Sequence, residues 1–230
     1  MATQTAATKS NGTEPKTRPK PSTPTVEVDA REIVIPRPAL RRATISLVGS
    51  SPLIMHRWST KALRQLEDSQ TGKAKAPRAP KQPDEEAHAA AYIVPGREND
   101  PDRPGKFYFP ASAFKHAFLY GVSQLDDTKQ FPKTRATGWV FINGDPVLDF
   151  EEVIRRTDVG RKPTQMLYRL MFDGWSCDLN ITYNSNSITL EQVAALFDHG
   201  GVGGIGEWRP TSPTNKSGDF GRFHVGGVKG

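Results

Sequence analysis

The stretch His199–Pro210, "HGGVGGIGEWRP", decides how this chain is read. Within it, Gly201-Val202-Gly203-Gly204-Ile205-Gly206 spells G-x-G-x-x-G, the fingerprint of a dinucleotide-binding turn. In such a turn the glycines follow a strand and open a helix whose N-terminus holds a pyrophosphate, with an acidic ribose ligand about 20 residues further on. Here the order is inverted. The segment ahead, "ITLEQVAALFDHGG", reads as a helix: Thr189 and Gln192 have capping-box spacing, Leu190, Val193, Leu196 and Phe197 form one face, and Gly200 is expected to end it. The chain behind continues Glu207-Trp208-Arg209-Pro210, which starts no amphipathic helix, and residues 207–230 are too few for a second strand with its acid. A nucleotide cofactor is therefore not the purpose of these glycines, and no other cofactor is implied.

Capping the helix accounts for Gly200 and Gly201 but not for Gly203, Gly204 and Gly206, nor for Gly218 and Gly221 downstream. So many glycines serve backbone that lies close to other backbone. Amide groups exposed in such a loop form nests for phosphate oxygens. Trp208 offers a face for a base, and Arg209 and Arg222 offer charge, so "GIGEWRPTSPTNKSGDFGRF" reads as a cradle for a nucleic-acid backbone.

Working outward, "ATISLVGSSPLIMHRW" predicts a strand from about Ala43, broken at Gly49-Ser50-Ser51-Pro52, and "STKALRQLEDSQ" a helix capped by Ser59 with Leu63 and Leu66 on one face. Residues 70 to about 105 mix Lys, Arg, Pro and acids and read as an inserted loop with a short helix near "PDEEAHAAAYIV". "KFYFPASAFKHAFLYGVSQL" gives an aromatic strand and a helix begun by Pro110, with Phe114, Ala117, Phe118 and Gly121 on one face. "GWVFINGDPVLDF" predicts a hairpin turning at Asn143-Gly144, with Trp139, Phe141, Val147 and Leu148 on its arms. "EEVIRRTDVGRKPTQMLYRLMF" predicts two strands with a basic tip, "WSCDLNITYN" a half-buried strand alternating Trp175, Cys177, Leu179, Ile181 and Tyr183, and "GDFGRFHVGG" a closing strand. This order predicts an α+β fold with an antiparallel sheet and no series of βαβ units.

Lys and Arg number 31 against 25 Asp and Glu, a net charge of +6 that suits a polyanionic partner. One cysteine, Cys177, leaves no intramolecular disulfide, and with no Cys/His cluster for a metal the expected setting is a reducing cytoplasm. No apolar run approaches a membrane span. Residues 1–41 are polar, Pro-rich and without apolar periodicity, so they predict a disordered basic tail ahead of one domain, 42–230.

Gly204-Ile205-Gly206, a polar spacer, and then Gly218-Asp219-Phe220-Gly221-Arg222-Phe223 resemble the C-terminal glycine-rich loop of the RAMP superfamily, the repeat-associated proteins of CRISPR systems. "FPASAFKHAF", with Pro110, Ser112, Phe114 and Lys115 in matching places, is similar to a helix-opening segment of the backbone subunits of CRISPR effector complexes. The resemblance implies a ferredoxin-like (RRM-like) antiparallel sheet with helices on one face, a protruding β-hairpin thumb, and copies stacking in a filament or ring along single-stranded nucleic acid. The thumb is then "VIRRTDVGRKPTQMLYRL", with Arg155, Arg156, Arg161, Lys162 and Arg169 near its surface. On this reading Lys115, Arg155, Arg156, Arg161, Lys162, Gly204, Gly206, Trp208, Arg209, Gly218, Gly221 and Arg222 hold the strand. RNA and DNA both stay open, as do a CRISPR and a viral or mobile-element setting.

Of the five histidines, His56 follows the first strand, near where CRISPR RNA-processing endoribonucleases of the same superfamily carry a general base. Arg57 beside it would stabilise phosphate charge, so a metal-independent endoribonuclease is the alternative to a non-catalytic binder. Some CRISPR backbone subunits cut with an aspartate in the loop after the first strand, and "GSSPLIMHRW" has none.

Overall fold

The computed structural model describes residues 37–72, 80–125, 132–161, 164–213 and 218–230, with backbone alone for residues 61, 159–161, 164 and 165. The expected tail thus lies outside the described residues up to residue 36. In chain order the elements are β1 (Leu40–Gly49), β2 (Leu53–Ile54), α1 (Thr60–Gln70), α2 (Pro83–Ala89), α3 (Ala111–Ser123), α4 (Lys133–Ala136), β3 (Val140–Ile142), β4 (Leu148–Asp149), β5 (Glu152–Arg161), β6 (Thr164–Asp173), β7 (Ser176–Asn184), α5 (Leu190–Gly203) and β8 (Phe223–Lys229).

Period-two alternation builds the main sheet. Cys177, Leu179, Ile181 and Tyr183 of β7 and Ala43, Ile45 and Leu47 of β1 are buried on one face, with Leu47 opposite Cys177 and Ile45 opposite Leu179. The opposite face carries cross-strand polar pairs: Thr44 donates to Asn180 at 3.0 Å, Ser46 to Asp178 at 2.6 Å, and Asn143 to Thr182 at 2.9 Å. The strands lie in the order β3-β7-β1-β8, with β4 on the same edge of β7 as β3, and every pairing is antiparallel. The connectivity β1-α3-β3 and β7-α5-β8 in that order is two interleaved β-α-β units, the ferredoxin-like arrangement. The fold is α+β, as the alternation predicted.

Helices α3 and α5 supply the apolar layer with Phe114, Phe118, Val193, Leu196 and Phe197, each burial of this size stabilising by about 1.5–3 kcal/mol. Thr189 Oγ1 accepts from Gln192 N, and Gln192 Oε1 accepts from Thr189 N, so the predicted capping box starts α5. Gly200 does not end it. The helix runs to Gly203, because Gly121 and Gly200 let α3 and α5 cross at backbone contact: a Cβ on Gly200 would stand 2.3 Å from Ala117 O, and one on Gly121 2.1 Å from Leu196 O.

Three further expectations are corrected. The predicted Asn143-Gly144 hairpin does not form, since β3 and β4 both pair with β7, Val140 opposite Tyr183 and Leu148 opposite Cys177. Gly144 does take a positive φ of 81°, but the chain beyond it turns to the 107–109 segment, where Leu148 N donates to Phe107 O and Phe109 N to Pro146 O. Val140 is buried in the core with Trp139 half-buried against it, whereas Phe141 is exposed. Ser59 caps α1 through Ala62 N as predicted, yet Leu63 and Leu66 stay about half exposed.

A separate three-stranded sheet, β2-β6-β5, takes its hairpin from the chain between the two β-α-β units and its third strand from within the first. Its hairpin pairs without a slip from Glu152 opposite Asp173 to Arg161 opposite Thr164, and β2 adds Leu53 opposite Phe172. Phe172 and Leu170 anchor the base in the core while Met166 toward the far end is exposed, which is the predicted thumb. Part of the 70–105 insertion packs beside it: α2 buries Ala87, Asp84 pairs with Arg155, and Lys81 Nζ lies 5.6 Å from the centre of the Tyr168 ring. Among the described residues no helix is long and apolar enough to cross a membrane.

Candidate nucleic-acid interface

The glycine loop is a place where three stretches of backbone meet. Ile205 N donates to Gly221 O, Gly221 N to Pro52 O, Glu207 N to Ile54 O, and Arg222 N to Ser51 Oγ, all between 2.8 and 3.0 Å. Gly204, Gly206 and Gly221 all have positive φ, and the tightest approach among them is at Gly221, where a Cβ would sit 1.9 Å from Ile205 O. Gly218, without a positive φ, crosses the backbone of Trp208 more closely still, an added Cβ standing 1.7 Å from Trp208 O. The glycines therefore join the loop to β2 and to itself, as their number predicted. The amides named above are engaged within the loop rather than turned to a ligand.

What the loop presents outward is Trp208. Its φ of 61° is the one left-handed value among the described non-glycine residues, and such backbone costs on the order of 1–3 kcal/mol. Arg156 of β5 stands over two loop rings, with its guanidinium carbon 5.9 Å from the centre of Trp208 and 4.7 Å from that of Phe220. Asp158 holds the same guanidinium at 3.0 Å. Thumb and loop thus share one cationic and aromatic surface. Arg155 lies nearby on the thumb but is drawn to Asp84 at 2.6 Å. Arg161 is described by its backbone alone at the end of β5, and Lys162 lies outside the described residues.

Other predicted residues have tasks inside the scaffold. Lys115 Nζ donates to Thr137 O at 2.9 Å and to Val140 O, and lies over the Phe118 ring, so it ties α3 to the start of β3; burial lowers its pKa. The α3 N-terminus meets a carboxylate instead, Ala111 N donating to Asp145 Oδ1 at 2.7 Å. Arg209 folds back onto Gly206 O at 2.9 Å and Thr211 Oγ1 at 3.2 Å, while Arg222 pairs with Asp219 at 2.9 Å. Arg209 keeps its place beside Trp208 and Arg222 remains half exposed, whereas Lys115 is withdrawn from the surface.

His56 follows β2 and has a partner the sequence did not reveal. Its Nδ1 lies 3.2 Å from Glu207 Oε1, and Arg169 Nε donates to Glu207 Oε2 at 2.9 Å. Burial opposes the Glu207 carboxylate, but the His56 hydrogen bond and the charges of His56 and Arg169 outweigh it and hold the pKa below its ordinary value. Arg57 does not join this group: its amide donates to Ala90 O and its side chain is exposed. His56 and Glu207 open on a cleft of about 560 Å³ between α3 and the glycine loop, whose walls include Tyr92, His116 and Arg209. Burial, with Tyr108 beside it, raises the Tyr92 phenol, so it stays a hydrogen-bond donor. No group of three or more His, Cys, Asp or Glu among the described residues is arranged to hold a metal, and burial with the nearby Asp178 pushes the Cys177 thiol up to about 12.

Neither a protein-family model nor a curated protein sequence matches the chain. Among solved structures it is similar to a chain of the type III-B Cmr-beta bound to cognate target RNA, with a TM-score of 0.47 and 10% identity over 83% of this chain. The match spans 60% of the length of that chain. It is also similar to Cmr6 from Pyrococcus furiosus, with a TM-score of 0.34 and 10% identity over 81% of this chain and 99% of that one. The fold class rests on the strand order of the main sheet and not on these remote likenesses.

Proposed function

We propose that this chain binds single-stranded nucleic acid along the surface shared by the thumb and the glycine loop, several copies lying side by side on one strand. The observation that carries the reading is the stack of Arg156 on Trp208 and Phe220. A base laid on an aromatic face gains about 1–3 kcal/mol whatever its identity, and a guanidinium beside it meets the phosphate. Arg155, Arg161 and Lys162 extend the charge along the thumb, Arg209 and Arg222 along the loop, and Gly204, Gly206, Gly218 and Gly221 bring the loop close enough to face the hairpin. The net charge of +6 adds long-range attraction.

Fluorescence anisotropy with labelled single-stranded DNA and RNA across a salt series tests this. Affinity should fall by about a decade or more over a few-fold rise in salt. Trp208→Ala should weaken binding by roughly tenfold, equivalent to loss of about one stacked base. An affinity that stays flat with salt, or is untouched by Trp208→Ala, would sink the proposal.

The His56–Glu207 pair favours a second reading. A carboxylate on Nδ1 fixes the ring and leaves Nε2 to act as a base. On RNA, Nε2 would take the 2′-hydroxyl proton, the oxygen would attack the adjacent phosphorus, and the 5′-oxygen would leave with a proton, giving a 2′,3′-cyclic phosphate and a 5′-hydroxyl end. Cleavage of labelled hairpin RNA that disappears in His56→Ala would establish this activity; intact RNA in both proteins would dismiss it.

A further inference from the structure

We infer that the cleft between α3 and the glycine loop is a seat for one nucleotide unit, a base together with its phosphate, distinct from the stacking surface on the thumb side. The inference rests on the strand-binding reading for how a nucleotide reaches it.

Glu207, Trp208 and Arg209 are consecutive and join the cleft to the thumb, Glu207 lining the cleft while accepting from Arg169 of β6. Glu207 and Arg209 line the cleft, whereas Trp208 sends its ring to Arg156 of the thumb. The left-handed φ of Trp208 falls where Gly218 crosses its backbone and Phe220 N donates to its carbonyl at 3.3 Å, which fixes the residue between cleft and thumb. A strand stacked on Trp208 therefore passes within one residue of the cleft mouth. Consecutive Cα atoms are about 3.8 Å apart, so Glu207 and Arg209 lie within the reach of a single nucleotide step.

The chemistry of the walls selects the occupant. The volume of about 560 Å³ falls in the range of small-molecule sites, about 300–1,000 Å³. Tyr92 and Tyr120 supply rings, His56 and His116 supply imidazoles, Ser112 a hydroxyl and Arg209 a cation. The carboxylate on the wall, Glu207, is already paired with Arg169 and His56, so it does not repel a phosphate as a bare acid would. With Nδ1 of His56 engaged by Glu207, Nε2 is the ring nitrogen left for a ligand. Rings for a base and cationic donors for a phosphate in one cleft are the pattern of a nucleotide site; an uncharged apolar ligand would leave these polar groups unpaired.

The test follows the His56 and His116 imidazole resonances of the 15N-labelled full chain during titration with AMP, with UMP, and with a short oligonucleotide. A parallel arm places a single 2-aminopurine at successive positions of that oligonucleotide. Saturable shifts of both imidazoles, and a 2-aminopurine response confined to one position per bound copy, are the expected result. His116→Ala, a change at an exposed side chain, should weaken AMP binding by about tenfold through loss of one hydrogen bond to the phosphate. If the oligonucleotide binds with normal salt dependence and neither it nor a mononucleotide moves the two resonances, the nucleotide seat is wrong and strand binding stands. If mononucleotides shift both resonances and the oligonucleotide does not bind, strand binding is wrong and the seat takes free nucleotide. Silence in every arm overturns both.

Discussion

Through one carboxylate, Glu207 joins the end of β2, the glycine loop and the thumb, accepting from Arg169 of β6 and facing His56. Its pKa in the folded chain lies below the 4.5 of a free glutamate, so the stabilisation it brings is complete above that value and is lost as pH falls through the folded value. Urea midpoints measured against pH should therefore drop on the acid side in the wild type, and Glu207→Gln should flatten that drop. Arg169→Met leaves the half-buried carboxylate with His56 alone and should cost about 3 kcal/mol near neutral pH, the usual loss when one partner of a buried pair is removed; a change under about 0.5 kcal/mol would show that the pair does not hold the loop. Gly221→Ala meets both a φ of 68° and the Ile205 carbonyl at 1.9 Å, and should destabilise by roughly 3 kcal/mol. Gly227, with nothing within 4 Å of an added Cβ, should accept alanine within about 0.5 kcal/mol, so equal melting of the two variants would refute the backbone-contact role of the loop.

At the scale of elements, the α3–α5 crossing decides where the glycine loop starts, because α5 continues past Gly200 to deliver Gly204 beside β8. Gly200→Ala raises helix propensity by about 1 kcal/mol yet drives a methyl to 2.3 Å from Ala117 O, and we expect a net loss of about 2 kcal/mol by thermal or urea unfolding. A stabilised variant would mean that the crossing relaxes freely. The same crossing shows what the sequence carries and what it does not. Strand β7 is legible because alternation between Trp175 and Tyr183 records burial residue by residue, and the α5 cap is legible because Thr189 and Gln192 are three apart. Gly200 reads as a terminator because a local rule for helix ends cannot see Ala117 on another helix. Asn143-Gly144 reads as a hairpin for the same reason: the turn residues are local, but the choice of β7 as partner for both β3 and β4 is not. In the site, Trp208 and Arg156 are legible by residue type, whereas the Arg169–Glu207 pair spans 38 residues and leaves no local mark. Lys115 has the residue type of a phosphate ligand, but its ammonium is spent on the carbonyls of Thr137 and Val140, which no spacing rule foretells.

For the whole molecule, the separation into two sheets matters most. The ferredoxin-like sheet with α3 and α5 holds most of the buried apolar side chains among the described residues, and β6 of the thumb adds Tyr168, Leu170 and Phe172. Residues 160–165 at the tip of the thumb carry two cations and no large apolar side chain, the composition of a charged arm. Val159 lies opposite Met166, two pairs back from the Arg161–Thr164 pair that ends the ladder and so of the same hydrogen-bonded kind, a register at which a two-residue Asn-Gly turn closes a hairpin. Replacing residues 160–165 by Asn-Gly removes Arg161 and Lys162, and the net charge falls from +6 to +4 by subtraction of those two cations. Arg156, Asp158 and the rings of Trp208 and Phe220 stay in place. The shortened chain should melt within a few degrees of the wild type, since the excised sequence Gly-Arg-Lys-Pro-Thr-Gln carries no large apolar side chain. Its affinity for a single strand should depend less on salt, the slope of log affinity against log salt shrinking by about 1.4, which is about 0.7 for each phosphate that the missing cations leave unneutralised. An unchanged slope would place the phosphate-binding cations on the loop alone and remove the thumb tip from the interface; a slope reduced by that amount, with Trp208→Ala still weakening the shortened chain, would show that loop and thumb grip the same strand independently.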